Sequence, residues 1–466
     1  MVRPGAQEQT LTRDEAELAA RYRRRLRLTD LFEGLAWFSG VVLVALFLAD
    51  GGVGFFSTPQ EIPLGLGIVT GLVGTNIVMI MLLLVARVPL LDSVFGADSI
   101  QAAHRGLGKP ALLLLIAHAI LLIWGYALAL GKDPVVQAVA MFTTMDDLPL
   151  AFIALGLLVV VVASSLAIVR HRIRHESWYL VHLFAYAAVL IALPHQFSQS
   201  GIFAEGTWAR GYWLVVSIGT LALIAVFRVA VPLARNLRHR LRVVEVIHEA
   251  PGVVSVVMSG RHLERMHARG GQFFYWRFGT PGLRWEGHPY SLSAAPDGHV
   301  LRITVRDLGD DSRRVLSLAV GSRVYFEGPY GLFTAAARTS RDVVLIGAGI
   351  GITPILSVAG SFVGSTGKVT VILRANEEGQ LYLRDEFAAL RADPRVEVIE
   401  LVGPPPGASW LPESDGHATS LAALVPDVRA ADVYVCGPAR WAELVINDAR
   451  AAGLRRRQIH TERFNW

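Results

Sequence analysis

Six apolar runs, each about the twenty residues that a helix needs to cross the hydrocarbon layer of a bilayer, decide what the first half of this chain can become. They fall at about 31–50, 62–86, 111–130, 148–169, 178–197 and 211–231. A segment in lipid must satisfy its own backbone hydrogen bonds, so these runs predict a bundle of six membrane-spanning helices. With 53% hydrophobic and 18% charged residues and a mean hydropathy of +0.43, a chain of 466 residues is too apolar to be soluble throughout. The charged, polar start predicts no cleavable signal.

Basic residues orient the bundle. Arg21, Arg23, Arg24, Arg25 and Arg27 precede the first run, Arg87, Arg105 and Lys109 lie between the second and third, and Arg170, Arg172 and Arg174 lie between the fourth and fifth. Arg235, Arg238, Arg240 and Arg242 follow the sixth, whereas the opposite loops carry only Lys132 and Arg210. The positive-inside rule then puts both termini in the cytoplasm of a multi-pass cell-membrane protein. The net charge of +5 is accounted for by this topology, and no nucleic-acid partner is expected. One cysteine, Cys436, excludes an intramolecular disulfide or a CxxC metal site, so redox chemistry would need bound cofactors.

Two of the apolar regions carry paired histidines, His104 with His118 and His182 with His195. Ionisable groups at bilayer depth are rare and usually functional. His104 and His118 are 14 residues apart, roughly 21 Å of helical rise and about 40° short of whole turns, so both face one side at two depths. His182 and His195 are 13 apart, which turns them roughly 140° from each other unless Pro194 kinks the helix. Any one of them alone reads as well as a satisfied core histidine. The matched quartet predicts two bis-histidine haems stacked across the membrane, His104 and His182 on the cytoplasmic side and His118 and His195 on the outer side. His171 and His175 fit no such pairing and are expected at the cytoplasmic surface.

From about residue 236 the pattern changes. Alternating segments such as Leu241–Ile247, Val253–Met258 and Leu301–Val305 predict a small antiparallel β-barrel to about residue 339. Beyond it, Val343–Ile346, Val369–Leu373, Val396–Glu400 and Val433–Val435 read as buried strands alternating with helices, an α/β parallel sheet. The expected domains are therefore 1–235, 236–339 and 340–466.

Within the barrel, His288-Pro289-Tyr290-Ser291 can place a ring along a flavin while the Ser291 hydroxyl bonds the ring nitrogen that accepts hydride. Val305 and Arg306, with Gly309 and Ser312, are spaced to bind a pyrophosphate, Arg306 by charge and the turn by backbone amides. In the third domain Gly347, Gly349 and Gly351, followed by Thr353 and Pro354, lie between a strand and a helix, where glycines let backbone amides approach a dinucleotide phosphate. Cys436, Gly437 and Pro438 follow another strand; the thiol by itself reads as buried and structural.

On these residues the chain resembles the ferric reductase and NADPH oxidase superfamily over nearly its whole length. The resemblance implies a six-helix haem domain, a ferredoxin-reductase-like FAD domain and a nucleotide domain. The family's haem ligands match His104, His118, His182 and His195, and its flavin motif matches His288, Pro289, Tyr290 and Ser291. Val305, Arg306 and Ser312 match the pyrophosphate segment, Gly328, Pro329, Tyr330 and Gly331 the turn into the nucleotide domain, and Gly347, Gly349, Gly351, Thr353 and Pro354 the phosphate loop. Cys436, Gly437 and Pro438 match the turn beneath the nicotinamide, and Glu462-Arg463-Phe464 the terminal motif whose ring covers the flavin; Trp466 is the other candidate ring. The cofactors implied are FAD, two b-type haems and NADPH or NADH. Arg374 matches an arginine used on the 2′-phosphate, which favours NADPH, although the second basic position is His417 where many members have arginine.

The activity implied is hydride transfer from the nicotinamide to FAD, then single electrons through the inner and outer haems to oxygen, giving superoxide, or to ferric iron. The animal oxidases of this family flank the outer haem with an arginine from the first-span region and a histidine one turn beyond the outer third-span ligand. Here no arginine lies between Asp30 and Asp50, and Leu122 is four residues after His118. Arg210 is the only guanidinium on the outer side and reads first as a solvated loop charge. A reading from another class is a non-catalytic haem redox sensor or an electron-transfer component serving a partner protein, which would not need the hydride-handling motifs.

Overall fold

The computed structural model describes residues 13–170, 172, 175–199, 201–365, 367–407, 409–413 and 420–462. His171, His417, Phe464 and Trp466 lie outside the described residues. Two compact units emerge, one over 28–231 and one formed by the segments on either side of it.

The membrane unit is built from helices α1 (Arg13–Ala49), α2 (Ile62–Val85), α3 (Ala97–Leu130), α4 (Pro134–Thr144), α5 (Leu148–Ser164), α6 (His175–Ser198) and α7 (Trp208–His239). Five of these are long and apolar enough to span a bilayer by themselves. The fourth expected span differs: α4 and α5 are bent by 113° at a break, so a sixth crossing exists only if this pair counts as one. Asp147, in the left-handed region at φ 63°, sits just before α5 at that break. Local chemistry sets the ends. The Asp133 carboxylate caps α4 by accepting from Val135 N at 2.8 Å and Val136 N at 3.2 Å, and Thr207 caps α7 by accepting from Arg210 N at 3.2 Å.

Large apolar side chains such as Trp37, Leu113, Leu180 and Val215 point outward and exposed, the surface that lipid covers in a multi-pass protein. Inside, Ser39 Oγ donates to Asn76 Oδ1 at 2.5 Å and Tyr212 OH to Ser39 Oγ at 3.1 Å, which ties α1, α2 and α7 together by polar bonds that have no water to compete with them. α2 and α3 approach closely because α2 is glycine-rich on the shared face. A Cβ at Gly67 would lie 2.8 Å from Leu122 Cδ2, and one at Gly74 would lie 3.1 Å from Leu114 Cβ.

The other unit opens with β1 (Arg242–Ala250), β2 (Val253–Ser259), β3 (Phe273–Phe278), β4 (His288–Ser291), β5 (Val300–Arg306) and β6 (Val324–Tyr330). They form two three-stranded antiparallel sheets, β1-β2-β5 and β4-β3-β6, joined by bridges at Arg242↔Arg323 and Leu292↔Ile303. Inward residues of both, among them Val254, Val256, Phe274, Trp276, Ile303 and Phe326, share one core. A short helix α8 (Asp310–Val315) follows β5.

Beyond it, β7 (Val343–Ala348), β8 (Val369–Ala375), β9 (Val396–Val402), β10 (Asp432–Cys436) and β11 (Ile459–Glu462) form a parallel sheet in the order β11-β10-β7-β8-β9, with α9 (Ile352–Gly360), α10 (Arg384–Leu390) and α11 (Ala439–Ala451) among its helices. Every residue of β7, β8 and β10 is buried, as expected for strands covered on both faces. The fifth strand, β11, is not marked by any long apolar run. The chain runs from β7 outward to β9 and then returns to β10 on the other side, so the order reverses between β7 and β10. Ligands of open α/β sheets bind at the carboxyl ends of strands at such a reversal.

Candidate functional site

The four membrane histidines sit on two helices, His104 and His118 on α3 and His182 and His195 on α6. α6 continues as helix through Pro194, so no break there corrects the nominal offset between its histidines. They reach the α3 histidines nevertheless. The rings of His104 and His182 have centroids 6.1 Å apart with planes at 63°. Two metal–imidazole bonds of about 2 Å end to end, plus the rings' own size, come to about 6 Å, so one iron fits between them. Trp178 lies against His182 at 5.0 Å and 32°, with the Arg170 guanidinium 4.6 Å from the Trp178 ring centre.

His118 and His195 line one apolar cavity together with Leu115, Met141, Leu148 and Gln196. An apolar cavity lined by two imidazoles could hold a hydrophobic macrocycle whose iron both rings would ligate. Among the described residues no three His, Cys, Asp or Glu side chains cluster as a bare-ion site would require. The histidines come in twos, the number of axial positions on a haem iron.

One polar residue beside the outer pair, Gln196, carries no signal in the sequence that singles it out. Gln196 Oε1 accepts from Trp213 Nε1 at 2.7 Å, and Gln196 Nε2 donates to Ala192 O at 3.1 Å. Arg210, read from the sequence first as a solvated loop charge, is instead held in the first turn of α7. Its Nη1 donates to Phe203 O at 3.0 Å and its guanidinium lies 5.3 Å from the centre of the Phe197 ring.

In the barrel, β4 presents His288, Pro289, Tyr290 and Ser291 in register with β3, Tyr290 opposite Phe274 and Ser291 opposite Phe273. The rings of His288 and Tyr290 stack at 6.3 Å and 21°, and Trp276 Nε1 donates to Tyr290 O at 3.0 Å. Burial, and after it the Asp311 carboxylate, pushes the Tyr290 phenol well above its usual range. Asp311 belongs to α8, so β4 and the segment expected to hold a pyrophosphate come together. In that segment Val305 is buried and Arg306 exposed at the end of β5. Ser312 Oγ accepts from Leu308 N at 2.8 Å and donates to Gly309 O at 2.9 Å, closing the turn.

At the sheet reversal the loop after β7 meets the loop after β10. Gly349 has φ +56°, and a Cβ on Gly351 would lie 2.5 Å from Cys436 C and 2.7 Å from Gly437 N. A Cβ on Gly437 would in turn lie 2.6 Å from the Trp441 ring, and one on Gly347 would lie 3.1 Å from Ile352 Cα. Thr353 Oγ1 donates to Ile350 O at 2.9 Å and Pro354 follows in the first turn of α9. Pro438 stands immediately before α11 as its N-cap. Cys436 is fully buried, and burial, then Glu462, pushes its thiol well up, which keeps it protonated and non-nucleophilic.

Arg374, expected at a 2′-phosphate, bonds main-chain carbonyls. It is buried, with Nε donating to Trp410 O at 2.9 Å and Nη1 bonded to Ala375 O and, at 3.5 Å, to Leu401 O. The end of β8 and the 410 loop leave three carbonyls facing inward. The guanidinium answers them through Nε and Nη1. Asn376, Glu377 and Glu378, just beyond β8, are exposed.

The family model described as "Ferric reductase like transmembrane component" matches residues 70–193, a stretch holding His104, His118 and His182 and ending just before His195. The one described as "Oxidoreductase NAD-binding domain" matches residues 345–446. Relatives include the ferredoxin reductase component of a 3-ketosteroid-9-alpha-monooxygenase from Rhodococcus rhodochrous, 26% identical over 48% of this chain and 64% of its own. A ferredoxin–NADP reductase of Sorangium cellulosum is 29% identical over 38% of this chain and 77% of its own. The heavy chain of a superoxide-generating NADPH oxidase from Dictyostelium discoideum is 25% identical over 44% and 31% respectively. The match thus spans less than two thirds of the first of these relatives and about a third of the last. Among solved structures, the FAD/NAD-binding domain of a nitric oxide dioxygenase from Vibrio cholerae covers 49% of this chain and 99% of its own at 27% identity, with a TM-score of 0.41.

Proposed function

We propose that this chain, which joins a ferric reductase-like transmembrane component to an FAD/NAD(P) module, is a transmembrane oxidoreductase that draws electrons from NAD(P)H and delivers them to an acceptor at the opposite membrane face. The observation that carries the reading is the pairing of histidines between α3 and α6, two rings 6.1 Å apart at one level and two lining a single cavity at the other. The arginine-rich loops put the soluble domains on the cytoplasmic side.

When bound, the nicotinamide supplies a hydride, FAD takes the pair and gives up one electron at a time, and two b-type haems carry these across the bilayer. This chain's residues do the rest. The side-chain-free contact of Gly351 with Cys436 and Gly437 lets backbone amides at the start of α9 approach a dinucleotide phosphate. Arg306 and the closed turn through Ser312 suit the flavin pyrophosphate, while Tyr290, fixed by Trp276, offers a ring to the flavin and Ser291 a hydroxyl. Cys436, kept neutral, supplies a dry, uncharged floor beside the nicotinamide. His104, His118, His182 and His195 would hold the haem irons.

The acceptor is an anionic ferric chelate or oxygen. The superoxide-generating relative favours oxygen, whereas the ferric reductase-like component favours iron. Purified full-length protein loaded with FAD should show a low-spin b-type spectrum with two haems per chain, reduced by NAD(P)H under argon. Absence of haem, or haem that nicotinamide leaves oxidised, would sink the reading. Superoxide dismutase-sensitive cytochrome c reduction in air, set against ferric-chelate reduction under argon, identifies the acceptor.

A further inference from the structure

The two ligand-bearing helices hold their histidines differently. On α3 each ring has its Nδ1 beside a backbone carbonyl of α2, His118 at 2.7 Å from Gly67 O and His104 at 3.3 Å from Met81 O. A carbonyl can only accept, so in this arrangement Nδ1 carries the proton and Nε2 keeps its lone pair. On α6, by contrast, the buried Nδ1 atoms of His182 and His195 make no hydrogen bond of good geometry. The carbonyl of Ala192, one turn before His195, accepts its well-formed bond from Gln196 Nε2 at 3.1 Å and engages the His195 ring only weakly.

α2 carries no histidine of its own, yet its backbone is shaped to His118. A Cβ added at Gly71 would fall on the His118 ring, 2.7 Å from Cε1 and 2.9 Å from Cγ. Gly74, one turn along the same face, only packs on Leu114 and Leu115, with a Cβ there 3.1 Å from each. Close helix packing explains Gly74. At Gly71 the missing side chain makes room for an imidazole, and Gly67, one turn before it, supplies that imidazole's hydrogen-bond acceptor.

We propose that α2 is the orienting helix of the outer haem: Gly67 and Gly71 are positioning residues that fix His118 as the Nδ1–H tautomer with Nε2 available to iron, and His195 is the loosely held, exchangeable ligand. This rests on the haem-ligand reading above. Second-shell bonds of this kind raise a ligand's basicity, and their loss typically weakens metal binding about 10- to 100-fold. The α3 side therefore dominates retention, and the outer haem keeps His118 when His195 is removed.

The test uses full-length protein in detergent, with haem per chain, electron paramagnetic resonance and a potentiometric titration as readouts. His195→Ala is expected to keep two haems, one of them converted to a five-coordinate high-spin form, whereas His118→Ala loses one haem. Gly71→Ala is expected to lower outer-haem affinity about tenfold or more and to shift that haem's potential positively, leaving the inner haem unmoved. Gly74→Ala, a packing change of the same size on the same face, should leave both signals as they are. The proposal is overturned if His118→Ala and His195→Ala behave alike, or if Gly71→Ala and Gly74→Ala do. The histidine pair decides even where a glycine variant fails to fold. Wild-type protein without haem would overturn the ligand reading itself, and the proposal with it.

Discussion

Replacing Arg374 by alanine separates two roles for one guanidinium. As held here, it serves three carbonyls: Trp410 O at 2.9 Å, Ala375 O, and Leu401 O at a long 3.5 Å. Hydrogen bonds from a charged donor each contribute about 1.5–3 kcal/mol, and a buried acceptor left unmet costs about 1–3 kcal/mol. Counting the Trp410 and Ala375 bonds fully and the Leu401 bond as weak, Arg374→Ala should destabilise the nucleotide domain by about 3–5 kcal/mol. That corresponds to a fall in unfolding midpoint on the order of 10 °C. Thermal unfolding of the full chain would report it, followed by release of bound nucleotide. Kinetics with a soluble dye below the transition should then show NADH and NADPH losing kcat/KM by the same factor, because no donor reaching a 2′-phosphate has been removed. An unchanged midpoint with a loss of tenfold or more confined to NADPH would refute the reasoning and return Arg374 to the phosphate site.

Gly351→Ala must push a methyl into Cys436 and Gly437 backbone at 2.5–2.7 Å, where nothing flexible can yield, so nucleotide affinity should fall more than tenfold while flavin content holds; equilibrium binding of each measures both. The Cys436 thiol, fully buried and shifted upward, should resist alkylation at pH 9 until the domain unfolds. Its linkage has a definite sign: above the unfolded value of about 8.5 the unfolded chain releases a proton that the folded chain retains, so this contribution to stability is lost as pH rises through that point, and Cys436→Ala should flatten the alkaline limb of a stability profile. Tyr290→Ala should weaken flavin retention, and native Tyr290, raised by burial and Asp311, should show no phenolate absorbance near pH 10 where free tyrosine is half ionised.

The sequence reveals what has a period or a punctuation mark. Apolar length announces the spans, and the strand–glycine–helix order around Gly347, Gly349 and Gly351 announces the loop, because both are local. The bend between α4 and α5 is invisible in a hydropathy run that merely spans 148–169. β11 is missed because Ile459–Glu462 is a partly buried edge strand with only one aliphatic residue. The histidine spacing of α6 misleads in its own way, since an offset computed on one helix says nothing of how its neighbour is placed to meet both histidines. Gly67 and Gly71 could have been found from their small-xxx-small spacing, but only the structure says that one faces a ring. Arg374 shows a different limit: a motif fixes a residue's address, not which carbonyls its side chain answers.

The contact of Gly351 with Cys436 and Gly437 joins backbone segments separated by most of the nucleotide domain. Such a contact cannot form early, since β8, β9 and β10 must all be laid into the sheet before the two loops meet, and the entropy of closing so long a stretch is spent before any contact rewards it. The flavin-side contacts, by comparison, are made within the six strands that precede it. Assembly order is thereby built into the architecture: a chain emerging from the ribosome completes its flavin barrel first and its nucleotide cradle last. A chain still short of Cys436 therefore has all six barrel strands to fold with, while the contact around Gly351 has no partner to meet.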